Sequence, residues 1–376
     1  MVRMVTGIYI HIPFCIKKCA YCDFNSYSGI WNMSSSYGNA LVREIETSPF
    51  RGRRINTVYI GGGTPTSVDV QIICEIMAAV RKNFDVDEEA EITIECNPGT
   101  VDFEKLRTLR DLGINRLSIG CQSADDNILK TLGRIHTFNE FTECFNLARQ
   151  AGFENISVDL MFGLPGQTTE IWLDTQKRIT ALNPEHISAY SLKIEEGTPF
   201  CAKYKSGELK VPDDEQNRDM YDAAVDFLKT HGYSRYEISN FSKSGFESRH
   251  NLIYWQLDDY IGFGAGAYSF ADGKRFSNPL GIGEYIGTVK KGGIVLPEPE
   301  SDLDQMCEFM FLGLRLDEGV SKAEFKRRFG KEITEVFAEP LNKHLNIIKS
   351  LIDDGDRIKM KPEYTYVSNI NMSYFI

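Results

Sequence analysis

Three cysteines, Cys15, Cys19 and Cys22, fall close together in His11-Ile12-Pro13-Phe14-Cys15-Ile16-Lys17-Lys18-Cys19-Ala20-Tyr21-Cys22. The spacing is C-x3-C-x2-C, with no fourth cysteine nearby. Three thiolates can each hold one iron of a cubane cluster and leave the fourth iron open to a substrate or cofactor. That chemistry suits an enzyme-like site more than a structural metal knot. A structural zinc site wants four ligands, usually as two separated pairs. The other cysteines (Cys74, Cys96, Cys121, Cys144, Cys201 and Cys307) are scattered singly, so no second pair exists. His11 could complete a zinc set, but it alternates with apolar residues as in a strand. Disulfides fit poorly: residues 1–7 show no cleavable leader, and three close cysteines leave one unpaired. Thiolate clustering favours iron–sulfur chemistry.

A second feature is Gly61-Gly62-Gly63-Thr64-Pro65-Thr66, which directly follows an apolar run. Glycines there permit positive φ and expose backbone groups to a close ligand. A phosphate loop would continue into Lys-Ser/Thr, which is absent. The turn suits a polar zwitterion better. Alone it is as well explained as a tight turn; it gains weight by following the cysteine loop by one strand–helix unit.

The elements that position these loops alternate along the first half of the chain. Apolar, β-branched runs at 8–12, 57–60, 92–96, 116–120, 156–160 and 186–192 read as strands. Helical patterns at 36–47, 70–83, 103–112, 138–151 and 170–181 fall between them. This rhythm implies a parallel sheet covered by helices. Six units give either an open doubly wound sheet or an incomplete barrel. Both place functional loops at the carboxyl ends of the strands. Those ends carry the cysteine loop, the glycine triplet, Glu95, Gln122 and Asp159.

A long helix over 212–231 closes this unit. Residues 233–293 are rich in Gly, Tyr and Phe and less regular. Gly292-Gly293 and Pro297-Glu298-Pro299 mark a linker. Helices at 302–315, 322–329 and 341–353 follow, then a hairpin of 358–360 with 365–367. The expected division is a core at 1–232, a connecting segment at 233–299 and a small winged-helix-like α+β domain at 300–376. Its acidic surroundings favour a lid or packing module over a DNA reader.

The chain has 376 residues, 42% hydrophobic and 25% charged, as in ordinary globular proteins. No apolar run reaches the length of a membrane span. The charge of −11, from 42 basic and 53 acidic residues, disfavours nonspecific nucleic-acid binding. A cytoplasmic location is the expectation.

The cysteine spacing, with Tyr21 before the last cysteine, and Gly61-Gly62-Gly63-Thr64-Pro65 resemble the radical S-adenosylmethionine (SAM) superfamily. The resemblance implies a partial (β/α)6 barrel of the TIM type and a [4Fe-4S] cluster. The open iron would bind the amino and carboxylate groups of SAM. The reduced cluster would cleave SAM to methionine and a 5′-deoxyadenosyl radical, which the protein must shield from water and oxygen.

Longer strings resemble the anaerobic coproporphyrinogen III dehydrogenase group. They are Tyr9-Ile10-His11-Ile12-Pro13-Phe14-Cys15, Glu95-Cys96-Asn97-Pro98, Gly120-Cys121-Gln122-Ser123, Leu132-Gly133-Arg134 and Asp159-Leu160-Met161-Phe162-Gly163-Leu164-Pro165-Gly166. This resemblance implies SAM contacts at Tyr9, Gly62, Gly63, Thr64, Glu95, Gln122, Arg134 and Asp159, and at the Tyr21 backbone. Arg134 would pair with the methionyl carboxylate, Glu95 would accept from its ammonium, and Asp159 would accept from ribose hydroxyls. Read without the family, Arg134 is a surface ion pair and Asp159 a strand-end cap.

Two departures bear on activity. The dehydrogenases carry a further cysteine two residues after the third; here that residue is Phe24. They also carry a longer N-terminal extension. In addition, Arg249-His250-Asn251-Leu252-Ile253-Tyr254-Trp255 contains H-N-x-x-Y-W, which is similar to the HemW family of heme chaperones, as is the stretch 231–241. That resemblance implies heme and heme-acceptor proteins as partners. It also implies an electron donor such as a flavodoxin or ferredoxin, peripheral association with a membrane, no nucleic acid, and no dehydrogenase turnover. His250 is a candidate heme ligand, with Tyr254 and Trp255 packing on the macrocycle. In the alternative, His250 and Asn251 pin the loop by hydrogen bonds, with both aromatics in the core. The competing functions are oxygen-independent oxidation of coproporphyrinogen III and a cluster scaffold without SAM.

Overall fold

The computed structural model describes residues 5–292 and 301–376. The linker expected at Gly292-Gly293 and 297–299 lies, from residue 293 on, outside the described residues, as does 1–4 of the opening segment. Six strands pair in parallel in chain order: β1 (Thr6–Ile12), β2 (Arg54–Gly62), β3 (Asp85–Cys96), β4 (Arg116–Gln122), β5 (Asn155–Phe162) and β6 (His186–Ser191). Between them run α1 (Ser34–Thr47), α2 (Val70–Asn83), α3 (Phe103–Asp111), α4 (Asp126–Leu132), α5 (Phe138–Gln150) and α6 (Thr169–Ala181). Helix α7 (Asp214–Thr230) follows β6. Capping sets the helix starts: Thr137 with Glu140, and Asp213 with Gln216, form reciprocal capping boxes.

Period-two alternation sorts the strand side chains. Ile8 and Ile10, Val58 and Ile60, Ile92 and Ile94, Leu117 and Ile119, and Ile156 and Val158 are buried. They share one core with Ile73, Met77, Leu106, Phe141, Phe145 and Ile179 of the helices. The intervening residues turn to the opposite face. There Tyr59, Glu95, Ser118, Asp159 and Ser188, from β2 to β6, all line a single cavity. In a flat sheet, strands four steps apart lie about 19 Å from one another. The sheet is therefore curled, and the ladder stays open at its two edges. The fold is a partial barrel, which decides between the two architectures left open by the strand–helix count.

The sheet runs further than the six expected strands. β8 (Asn240–Ser242) extends one edge antiparallel to β6, and β7 (Ser234–Glu237) pairs antiparallel with β8. After α8 (Arg249–Trp255), β9 (Asp259–Phe263) lies parallel to β1, and β10 (Tyr268–Ala271) and β11 (Lys274–Ser277) continue antiparallel. These strands are short and broken by glycine, which hides their alternation in the sequence. Gly264 sits at φ +101, where a Cβ would meet the His11 carbonyl at 2.6 Å.

Beyond the described gap, α9 (Asp302–Gly313) and α10 (Lys322–Phe329) pack on a small antiparallel sheet. Its strands are β12 (Val320–Ser321), β13 (Leu351–Asp353) and β14 (Arg357–Met360), with β14 central. Met306, Phe309, Met310, Phe325 and Ile358 share a core with Ile253, Tyr260 and Phe270 of the main sheet's flank. The expected hairpin is shifted. It turns at Gly355, at φ +101, where the Asp354 carboxylate accepts from the Asp356 and Arg357 amides. The helix read to 353 ends earlier, and Lys349 at φ +62 turns the chain into β13. Residues 365–367 form a turn leading into a helix at Ser368–Met372. Among the described residues, no helix is long and apolar enough to cross a membrane.

Candidate cofactor site

The cysteine loop leaves β1 at Ile12 and is tied down along its length. The Tyr27 amide donates to the Pro13 carbonyl at 2.7 Å, and the Ala20 amide to the Leu132 carbonyl at 3.0 Å. Lys18 Nζ donates to the Phe24 and Ser26 carbonyls at 2.9 and 3.2 Å. Cys15 is buried, and Cys19 and Cys22 are half-buried. Each thiol meets a polar group of its own. Thr64 Oγ1 lies 3.7 Å from Cys15 Sγ, Arg134 Nη1 3.6 Å from Cys19 Sγ, and Ser26 Oγ 3.9 Å from Cys22 Sγ. Burial pushes the Cys15 and Cys22 thiols up, while these hydroxyls oppose it.

Among the described residues, no three His, Cys, Asp or Glu side chains converge as a single-ion site. Three thiols that each bind a separate iron need no shared ion. His11 is excluded as a fourth zinc ligand. Its Nε2 lies 2.8 Å from the Asn25 carbonyl and its Nδ1 2.9 Å from Tyr9 Oη, so both ring nitrogens are used.

The glycine triplet folds against this loop. The Gly63 amide donates to the Ile12 carbonyl at 2.9 Å and the Thr64 amide to the Phe14 carbonyl at 2.8 Å. A Cβ on Gly63 would stand 2.8 Å from the Phe14 carbonyl and 3.0 Å from Cys15 Sγ. At Gly62, φ is +122 and a Cβ would meet the His11 ring at 2.7 Å. Side chains here would push the two loops apart.

The strand ends supply the charged groups. Glu95 accepts from Tyr59 Oη at 2.9 Å and from the Gly62 amide at 3.0 Å. Burial, with Asp159 adding, pushes its carboxyl up to about 7 against these hydrogen bonds. Asp159 accepts from Ser118 Oγ at 2.9 and 3.1 Å, and burial raises its carboxyl too. Helix α4 starts on an Asp125 cap and ends at Gly133, φ +79, which returns Arg134 to the site. Arg134 Nη2 donates to the Gly120 carbonyl at 2.7 Å and to Asn97 Oδ1. A register shift between Gly120 and Gln122 leaves Gln122 at φ +68. Such bulges re-aim side chains beside functional sites.

These groups line one cavity of about 470 Å³. Cys15, Cys19, Cys22, Tyr21, Gly62, Gly63, Thr64, Glu95, Gln122, Arg134 and Asp159 all reach it. Tyr9 stands behind it, bonded to His11 and packed near Tyr59 at 6.2 Å between ring centroids. His250 also lies outside it. Its Nδ1 is 2.7 Å from Thr57 Oγ1, its Nε2 is 2.9 Å from Tyr254 Oη, and its ring stacks on Tyr59 at 5.2 Å. The residue is 1% exposed, and burial, with Arg116 adding, pushes the imidazole down to about 3. These contacts lend the ligand role expected of His250 no support, since iron would reach either nitrogen only by breaking a buried hydrogen bond. Through the Thr57 contact the His250 ring ties its loop to β2. Its neighbour Asn251 does line the cavity, as do Arg116, Tyr59, Asn97, Ser118 and Ser188. The sequence marks Asn251 only as a loop pin and does not mark the other five as site residues. Strand parity pointed to Tyr59 and Ser118, which share the inner face with Glu95.

Three thiols with their own polar partners and an adjoining cavity with a carboxylate and a guanidinium fit an open-iron cluster beside a zwitterionic ligand. The Radical SAM superfamily model matches residues 9–179, and the HemN C-terminal domain model matches 301–363. Over 352 residues the chain is 39% identical to heme chaperone HemW of Bacillus subtilis (strain 168), spanning 92% of this chain and 91% of that protein. The chain belongs to the HemW family of radical SAM proteins. Heme chaperone HemW of Escherichia coli (strain K12) is 35% identical over 335 residues, 85% of each chain. The Mus musculus radical S-adenosyl methionine domain-containing protein 1, mitochondrial, is 32% identical over 367 residues, 89% of this chain and 81% of that one. Among solved structures, the Escherichia coli coproporphyrinogen III oxidase HemN, a radical SAM enzyme, superposes with a TM-score of 0.86. It is 25% identical and covers 99% of this chain and 90% of its own. This HemW-family chain thus shares the HemN fold. Its Phe24 is 66% exposed and lines the cavity.

Proposed function

We propose that this protein is a heme chaperone, which binds heme and passes it to acceptor proteins. The observation that carries this reading is near-full-length similarity to HemW proteins, joined to an exposed Phe24 in place of the dehydrogenases' further cysteine. Cys15, Cys19 and Cys22 would hold a [4Fe-4S] cluster. When bound, that cluster supplies an open iron for SAM and an electron for its reductive cleavage.

The chain's own residues then position SAM. Arg134 orients the methionyl carboxylate, and Glu95, when ionised, accepts from the ammonium. Asp159, steadied by Ser118, accepts from the ribose hydroxyls. Gln122, the Tyr21 backbone and the Gly62-Gly63-Thr64 turn complete the enclosure, with Tyr9 backing it from behind. An electron donor of flavodoxin or ferredoxin type, a cytoplasmic setting and peripheral contact with a membrane belong to the same proposal.

Heme titration of anaerobically reconstituted protein tests it. About one heme per chain is expected for one preformed site. Protein fully loaded with cluster that takes up no heme would overturn it.

A further inference from the structure

Arg116 opens β4 and is 2% exposed, yet it reaches the cavity. Its Nε is enclosed without a partner, and among the described residues its guanidinium makes no ion pair or hydrogen bond. A buried charge left alone is costly, so such groups normally carry partners. Asp159 feels the Arg116 charge, which opposes the rise of its carboxyl, but among the described residues no nearby acid accepts a hydrogen bond from Arg116. Asp159 is held by Ser118, and Glu95 by Tyr59 and the Gly62 amide. Glu91 accepts from the Arg249 and His250 amides. Asn251 lines the same cavity, and its carboxamide also makes no hydrogen bond among the described residues.

The register places Arg116 deep in the barrel. Arg116 stands opposite Thr93 and Asn155, two residues before Ser118. That is about 7 Å further from the strand ends than the Ser118–Asp159 pair. The cysteine loop lies beyond those strand ends. SAM carries one carboxylate, which the proposed function commits to Arg134 beside the open iron, so Arg116 is left for a different anion.

We propose that Arg116 and Asn251 form a carboxylate subsite on the cavity floor, taking the acid group of a second organic ligand. The planar guanidinium fork matches a carboxylate in two parallel hydrogen bonds, and the Asn251 amide can donate another. A cavity of about 470 Å³ is the size of one cofactor, so only a small acid or a slim acidic arm fits beside SAM. A free short-chain acid and a tetrapyrrole propionate arm present the same group. The subsite's depth relative to SAM rests on the proposed function; its chemistry does not.

The test uses full-length, cluster-loaded, SAM-saturated protein and ligand-observed NMR with propionate and with uncharged propionamide. Propionate is expected to bind and propionamide not. Arg116→Gln is expected to weaken propionate at least about tenfold, the loss of one charge-assisted pair, with SAM affinity kept. Should Arg116→Gln fail to fold, Asn251→Ala keeps the charge and is expected to weaken propionate several-fold. Equal binding of acid and amide, or propionate affinity unchanged in a folded variant, would overturn the subsite. Heme and its dimethyl ester then identify the source. Selective weakening of heme by Arg116→Gln assigns the subsite to a propionate arm, and unchanged heme binding with lost propionate binding assigns it to a free acid. Wild-type protein that binds propionate but no heme would sink the chaperone reading and leave the subsite standing.

Discussion

Arg134 Nη1 stands 3.6 Å from the Cys19 sulfur. The same guanidinium holds the Gly120 carbonyl at 2.7 Å, so one side chain joins the cysteine loop to the end of β4. A cationic donor on a thiolate favours the more negative, reduced state of a cluster. Arg134→Gln is expected to lower the midpoint potential of the SAM-free cluster by about 60 mV, a tenfold change in a one-electron equilibrium. An EPR-monitored redox titration reads this. An unchanged potential would mean that Arg134 does not act on Cys19 in the loaded protein.

The pH dependence of stability has a different origin. Burial pushes Glu44 from 4.5 up to about 7, against hydrogen bonds from Tyr285, the Gly264 amide and Asn278. A carboxyl raised on folding contributes stability that is present below its unfolded value and lost as pH rises through the folded one. The window is therefore pH 4.5 to about 7, and the loss is on the order of 3 kcal/mol. Glu95 acts in the same direction. Urea melts from about pH 5.5 to 8 should show a shallower decline for Glu44→Gln than for wild type, by up to about 1.4 kcal/mol per pH unit. Parallel curves would rule out Glu44 as the source.

His250 gives a test of a pin against a ligand. His250→Ala removes the bonds to Thr57 and Tyr254 and opens a cavity under Tyr59. A stability loss of about 2–4 kcal/mol is expected from denaturant melts, with the heme Soret spectrum unchanged. A folded variant with a lost or shifted Soret band would return His250 to the iron.

Gly63 separates steric need from backbone strain. A Cβ there would stand 3.0 Å from Cys15 Sγ and 2.8 Å from the Phe14 carbonyl. Gly63→Ala is expected to cut cluster loading to about half or less, through overpacking of the two loops. Iron and sulfide assays after reconstitution measure it, and full loading would contradict the close packing.

Much of this site is local in sequence. The cysteine spacing, the glycine turn, and the strand runs ending at Glu95, Gln122 and Asp159 each sit within one element, where period and turn chemistry operate. Arg134 comes from the likeness of Leu132-Gly133-Arg134 to the dehydrogenase group, since no helix is read over 126–132 and periodicity alone does not place it. What escaped depends on contacts far apart in the chain. β9 reads as irregular until it is paired with β1, and the Thr57–His250 bond joins residues whose separation no periodicity spans. Arg116 looked like the polar start of a strand. Its burial follows from the curl of the sheet, which alternation within one strand does not report. The C-terminal hairpin slipped because Lys349 and Gly355, both at positive φ, end the helix and set the turn earlier than the apolar pattern suggested.

The central claim is that a cofactor site of enzyme type serves heme handling. The direct measurement is a side-by-side anaerobic assay of one reconstituted preparation, scoring heme uptake and coproporphyrinogen III turnover in the presence of SAM and reductant. The account expects about one heme bound per chain and no protoporphyrinogen formed. Protoporphyrinogen accumulating with matching 5′-deoxyadenosine would contradict it.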